Sequence, residues 1–269
     1  MVRHYRQQKG FDLADAASIL SCDPSKISRI ETGERGFRPA ELRQLLTEYG
    51  VDTAAQDMLA ALSDWREIPG WWLPYVKDLP SAHLAHVIPE TFASQSLIYA
   101  PSQIPALLRI REYEEAVVAA DPGTPKDRED IIVQATSARQ QVVLHERRTK
   151  LVVVIGEAAL RQQVGGQRVL SRQLMHLAEL GGASYPHITI RVLPFRAGAH
   201  AAGGAGGFSI LQFEDIPQLA ITHLDGPAGG LGLHQLATTE TYVGIFWQLH
   251  GSAEDPTESA RQIIQMANR

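Results

Sequence analysis

At 269 residues, with 44% apolar and 20% charged side chains, the chain has material for a real core and no compositional sign of disorder. Its length suits two domains, one small and one larger. A formal charge of −5 excludes a protein that wraps nucleic acid by bulk attraction, so any such contact rests on a local patch. The single cysteine, Cys22, excludes an intrachain disulfide and a thiolate metal cage, and it fits a reducing compartment. The first twenty residues hold no secretory core, and the strongest apolar run, Leu151–Ile155, is far short of a membrane span. A soluble, cytoplasmic protein without membrane partners is expected.

In chain order, Met1–Lys9 reads as a helix closed by Gly10, which takes a left-handed C′ conformation at little steric cost. Leu13–Leu20 reads as a second, with Asp12 as N-cap. After the turn SCDP a third begins at Pro24-Ser25, where proline near N1 loses nothing by lacking an N–H. A fourth runs from Ala40 to Tyr49 after Arg38-Pro39 and ends at Gly50. Thr53 caps a fifth, to about Trp65. Five short helices with short connections make a bundle, and the second and third are spaced as a helix-turn-helix.

Ile68–Pro80, rich in proline and aromatics, reads as an ordered linker. Beyond it, Glu112–Ala120 and Arg128–Arg148 have helical periodicity, Lys150–Ile155 reads as a buried strand, and Arg168–Leu180 as a helix. His187–Leu193 alternates like a strand. Phe208–Phe213 and Gln218–Leu224 read as a hairpin around Asp215-Ile216-Pro217. Two helices finish the chain, the last opening on Asp255-Pro256-Thr257-Glu258, a capping-box pattern. The expected fold is α+β: an N-terminal all-α helix-turn-helix bundle over 1–66, then a larger α+β ligand-type domain over 67–269.

The segment PSKISRIETGERGFRP, Pro24–Pro39, resembles the recognition helix and following loop of xenobiotic-response-element (Cro/repressor-type) helix-turn-helix regulators. The nearest likeness is to the actinobacterial antitoxin-like group with a C-terminal domain of unknown function. Further matches follow in order: Gly70-Trp71-Trp72 with Tyr75, Ala138-Arg139-Gln140, Glu157 to Arg161, Val164-Gly165-Gly166, Gln173-Leu174, Val192 to Phe195, Gly198-Ala199-His200, and Phe208. The resemblance implies transcriptional control, often with a small partner protein encoded nearby and a link to development or secondary metabolism.

The chain reads as a diverged member. Leu13 stands where such regulators open the second helix with a phosphate-holding Gln. The family's Tyr-Glu-Pro-Gln-Leu-Val-Pro-Gly-Leu-Leu-Gln-Thr survives as Tyr99–Ile110, with Ala100, Ser102, Ala106, Arg109 and Ile110 replacing its Glu, first Gln, Gly, second Gln and Thr. Thr136 replaces an Arg, Gly156 an Asp, Gly232 a Tyr and His234 a Glu. Apolar framework positions are kept while polar interior ones are rewritten, the pattern of a changed ligand or a changed task.

Operator DNA is the expected partner of the first domain. Ser25, Lys26, Ser28 and Arg29 sit where a recognition helix meets bases and phosphates, and Arg35 and Arg38 could reach the backbone. Residues 1–50 carry eight Lys and Arg against seven Asp and Glu, a weak basic footprint that a homodimer would double. A purely structural bundle is the competing reading.

The larger domain shows no nucleophile elbow, phosphate loop or cofactor fingerprint, so no cofactor is expected. The glycines at 203–207 lie between two strand-like segments and read as a flexible hairpin loop. His83-x-x-His86-x-x-x-Glu90 has the spacing of a two-His-one-carboxylate metal site. Pro89 is expected to interrupt that helix and leave the histidines on a surface turn, so no metal is assigned. Candidate pocket residues are Trp71, Trp72, Tyr75, Tyr99, Glu157, His200, His223, Asp225 and His234, each also readable as packing or as a solvated loop group.

Two functions remain open. One is a DNA-binding transcriptional regulator whose C-terminal domain senses a hydrophobic small molecule or a small antitoxin-like partner protein. The other is a repurposed, cofactor-free cyclase or lyase of secondary metabolism with the helix-turn-helix kept as scaffold. It would run dehydration, Michael-type addition or ring closure on a polyketide-like substrate by acid–base work in a shaped pocket.

Overall fold

The computed structural model describes residues 2–31, 38–51, 56, 70–75, 77–79, 81–146, 149–204, 206–214, 220–226, 231–233 and 236–268. The chain divides into two compact units, Met1–Gly70 and Trp71–Arg269. The expected fifth helix over Thr53–Trp65 lies outside the described residues apart from Gln56, as do Arg35 and His234.

The first unit is helical: α1 Val2–Gln8, α2 Leu13–Ile19, α3 Pro24–Glu31 and α4 Pro39–Glu48. Gly10 and Gly50 adopt φ +79° and +76°, as expected of helix-ending glycines. Asp12 caps α2 by accepting from the N–H groups of Ala14 and Asp15, while the Asp15 carboxylate accepts from Asp12 N. Ala16 and Ala17 of α2, Ile27 and Ile30 of α3, and Leu42, Leu45 and Leu46 of α4 are buried. Arg6 ties the end of α1 to α3 through two bonds to Glu31, at 2.7 and 2.8 Å, and donates a third to Phe11 O at 2.7 Å. In the turn between α2 and α3, Ser21 takes φ +48°.

The second unit is α+β. Its six-stranded sheet has the order β3-β2-β1-β4-β5-β6, with β1 Gln95–Ala100, β2 Lys150–Gly156, β3 Ile188–Leu193, β4 Phe208–Gln212, β5 Ala220–Leu224 and β6 Leu231–Leu233. Strands β1, β2 and β3 are parallel, and β4, β5 and β6 continue antiparallel from β1. The chain crosses from β1 to β2 through α6 Arg111–Ala120 and α7 Glu129–Gln140, and from β2 to β3 through α8 Gln167–Leu180.

Both faces are covered. Leu170, Leu174 and Leu177 of α8 recur at helical spacing and pack on Leu151, Val153 and Ile155, with Ile263 of α10, Pro256–Ala267, in the same core. On the other face Leu97, Val152, Val154 and Ile210 meet Phe246 and Leu249 of α9, Leu236–Ser252. Burial on both sides is why Leu151–Ile155 is an unbroken apolar run. Among the described residues no helix is long and apolar enough to cross a membrane.

Three local expectations need correction. The helix over His83 and His86 does not break at Pro89: α5 runs Ser81–Glu90 with the proline in its last turn, where only one backbone bond is forfeited. The long helix after Arg128 is α7 followed by a π-helical turn, Gln141–Glu146. The glycine segment before Phe208 is no hairpin loop, because β2 and β1 stand between β3 and β4; it carries the chain across the sheet. The hairpin of β4 and β5 is present, its turn residues 215–219 lying outside the described ones.

Candidate functional site

In the helical unit the start of α3 faces outward. Ser25 and Arg29 are exposed, and Lys26 and Ser28 are half-buried. Asp23 accepts from Ser25 N at 2.8 Å and fixes the entry into the helix. Arg29 folds back along its own helix onto Ser25, Nη2 donating to Oγ at 3.2 Å. Lys26 Nζ is bound to Glu41 of α4 at 2.9 Å, so this cation braces two helices. Arg38 is exposed at the start of α4.

In the α+β unit a cavity of about 360 Å³ opens beside the antiparallel half of the sheet. Its walls are α5 (His83, His86, Glu90), the segment after β1 (Pro101 to Arg109), Arg139 of α7, and the near ends of β4 and β5 with Ser209, His223 and Asp225. Strand register places these groups. Ile98 pairs with Ser209 and Ser209 with His223, so the three share one sheet face. Two residues beyond His223, Asp225 donates its N–H to Gly207 O at 2.9 Å. Gly207 sits close against this carboxyl: a Cβ there would meet Asp225 Oδ2 and push the Asp225 side chain aside.

Two ion pairs frame the cavity. Arg139 grips Glu90 with Nε at 2.5 Å and Nη2 at 2.7 Å, and the Glu90 side chain is fully buried. Arg109 binds Glu114 at 2.6 Å while donating to Ile104 O and Gln103. The imidazoles of His86 and His223 stack 4.1 Å apart, 25° from parallel.

Burial, with Arg139 and His223 adding to it, brings His83 down to about 4. The same influences hold His86 well below the usual imidazole range. Burial lowers His223 despite nearby Asp225, and burial raises the Asp225 carboxyl. Burial thus disfavours the charged form of these imidazoles and of the Asp225 carboxyl, which suits the group to acid–base exchange. Among the described residues no group of three His, Cys, Asp or Glu is placed to hold a metal.

Of the pocket candidates among the described residues, His223 and Asp225 line this cavity and the others do not. Trp71 donates to Thr91 Oγ1 at 2.9 Å and Trp72 packs edge-on to Phe92, so with Tyr75 they brace the end of α5. Tyr99 points to the other sheet face, against Phe208 and His200. Glu157 binds Arg161 and accepts from Phe195 N, a local staple. Sequence reasoning passed over Arg109, Arg139 and Ser209, and assigned His83, His86 and Glu90 to a surface turn. The spacing of His83, His86 and Glu90 was their one local signal.

Residues 2–62 match a family described as Helix-turn-helix domain, and residues 85–265 match the Domain of unknown function (DUF5753). The second match spans well over half of the chain. The chain belongs to the DUF5753 family. No curated protein and no solved structure matches it.

Several departures of this DUF5753 chain from the pattern it resembles gather at the cavity. Ala100, Ser102, Ala106 and Arg109 line it. Thr136 donates to Glu114, the carboxylate that holds Arg109. At Gly156 a Cβ would strike the Pro101 carbonyl, so the loss of a side chain there and the path of the cavity wall are one adjustment.

Proposed function

We propose that this DUF5753 protein is a cytoplasmic DNA-binding transcriptional regulator of the xenobiotic-response-element kind. Residues 1–66 read an operator as one half of a homodimer, and the α+β domain over 67–269 holds a small organic molecule in the cavity between α5 and β5. The observation that carries this reading is the helix-turn-helix match together with the outward-facing start of α3, where Ser25, Ser28 and Arg29 can meet base edges and phosphates. The cavity lies within the size range of ligand pockets and combines an apolar wall with a few convergent polar groups. A ligand there changes DNA binding only by its difference in affinity for the two states, and DNA must change ligand affinity by the same factor.

The test is titration of the full chain against its own promoter fragment at two salt concentrations. Saturable binding that weakens with salt and is lost in Arg29→Ala supports the regulator; binding no tighter than to unrelated DNA overturns it.

A second reading, a cofactor-free dehydrating lyase or cyclase, is favoured by His223 and Asp225 sharing one cavity wall. His223 would take the proton α to a carbonyl, the β-hydroxyl would leave as water with the proton of Asp225, and return of the proton from His223 to Asp225 would close the cycle. Failure to bind promoter together with conversion of a β-hydroxyketone to its enone, lost in Asp225→Asn, would put this reading first.

A further inference from the structure

A charge ledger of the cavity leaves one group unmatched. Arg139 spends Nε and Nη2 on Glu90, and Arg109 spends Nη1 on Glu114, so both cations near the cavity are already neutralised. Asp225 receives no hydrogen bond from any described residue, although Gly207 leaves room for its carboxyl and the backbone bond to Gly207 O fixes its place. Beside it, Ser209 is 7% exposed and its hydroxyl has no partner among the described residues; His86 Nδ1 is buried and likewise has none among them. His223 is 8% exposed. The wall thus offers a carboxyl whose cationic neighbours, Arg139 and Arg109, are already engaged by Glu90 and Glu114, a spare hydroxyl, and imidazoles with a ring nitrogen able to accept. Ile98, Ile104 and Leu107 also line the cavity.

We propose that the β4–β5 wall of this cavity is a subsite for an organic cation, a primary ammonium or amidinium head on a small apolar body, received by Asp225, Ser209 and His223. The inference rests on the reading that the cavity is the ligand site and names the class of ligand. Asp225 is open to solvent in the empty cavity, so a ligand that fills the cavity strips water from its carboxyl; an incoming cation with several N–H donors offsets that loss while satisfying the buried Ser209 hydroxyl. An anionic ligand would meet Asp225 with no uncommitted cation to offset it. A neutral ligand would leave the carboxyl uncompensated.

The test compares three probes of one skeleton on the full chain by isothermal titration calorimetry: 2-phenylethylamine, its N-acetyl amide and 3-phenylpropionate. The amine is expected to bind at least about tenfold more tightly than the other two, a difference of about 1.4 kcal/mol. Asp225→Asn, close to isosteric, is expected to erase that preference. Should the variant fail to fold, the order of the three probes on the wild-type chain decides the question. Amide or acid binding as tightly as the amine overturns the cation subsite and leaves a ligand cavity. An amine preference that survives Asp225→Asn in a folded variant also overturns it. No heat from any probe at about 10 mM, above even a millimolar dissociation constant, overturns it too. Promoter titration remains the separate measure of the regulator.

Discussion

Each unit of this molecule contains a buried, bidentate Arg–Glu pair, and the two pairs serve different ends. Arg6 and Glu31 close on each other and on Phe11 O, so the groups they use are satisfied within the bundle and the pair simply fastens α1 to α3. Arg139 and Glu90 have the same geometry, but the pair forms part of a cavity wall and lies against His86, whose Nε2 is 3.5 Å from Arg139 Nη2 and whose Nδ1 has no partner. A closed pair is an anchor. A pair beside unmet polar groups holds an electrostatic environment in place: Arg139 adds to the burial that lowers His83, His86 and His223.

The largest expected effect comes from breaking either pair. Glu31→Gln and Glu90→Gln each strand a buried guanidinium and should cost about 3–5 kcal/mol, read as a fall in the urea midpoint. Replacing both partners separates the two roles. Arg6→Met with Glu31→Leu should recover most of the stability with no other consequence for the α+β unit. Arg139→Met with Glu90→Leu should recover stability as well, but change the affinity order of the three phenyl probes.

Acidification should produce the next largest difference. His83, His86 and His223 titrate lower in the fold than in the unfolded chain, as do the more peripheral His176 and His250. The unfolded chain therefore binds more protons, and the stability of the α+β unit drains as pH falls from about 6.5 towards the His83 value of about 4. Asp225, shifted upward, works against this, since the folded state holds its proton more firmly; one carboxyl offsets only part of the imidazole effect. In the helical unit the shifted carboxyls among the described residues are Asp12, Asp23 and Glu41, all lowered chiefly by hydrogen bonds, and their contribution persists until pH falls below the usual carboxylate range. Urea midpoints at pH 7 and pH 5 should thus diverge between the units, with the α+β unit losing ground first.

The smallest effect concerns the turn of the helix-turn-helix. Ser21 pays for a left-handed backbone that glycine adopts freely, so Ser21→Gly should stabilise the helical unit by about 1 kcal/mol, seen as a higher melting temperature of that unit alone.

Local chemistry was readable where local groups decide the outcome. Asp12, Pro24, Gly10 and Gly50 announced the ends of α1 to α4, and the alternation of β4 and β5 announced a hairpin. Gln95–Ala100, by contrast, is a short apolar run before a proline, and nothing local marks it as the central strand on which β2 and β4 both pair. The cavity was hidden for the same reason: His86 and His223 meet only because β5 pairs with β4, β4 with β1, and α5 lies over them. Pro89 misled in a physically instructive way. A proline in a helix interior breaks it, but one in the last turn costs a single backbone bond, and α5 runs through it to Glu90, which meets Arg139. The aromatic cluster at Trp71, Trp72 and Tyr75 looked like a ligand box because packing and binding use the same side chains.

The sheet order has a consequence for the life of the chain in the cell. The cavity draws one wall from residues 83–109 and the other from 207–226, brought together where β1 pairs with β4 across more than a hundred residues and where His86 stacks on His223. A chain made only as far as residue 206 lacks the second wall, and one with β4 detached from β1 has no cavity, so a ligand binds only where the sheet is closed. At a hundred times its dissociation constant it would add about 2.7 kcal/mol to the stability of that fold. A metabolite occupying the cavity would then also set how long each copy escapes proteolysis, and the abundance of the protein would follow the supply of that metabolite.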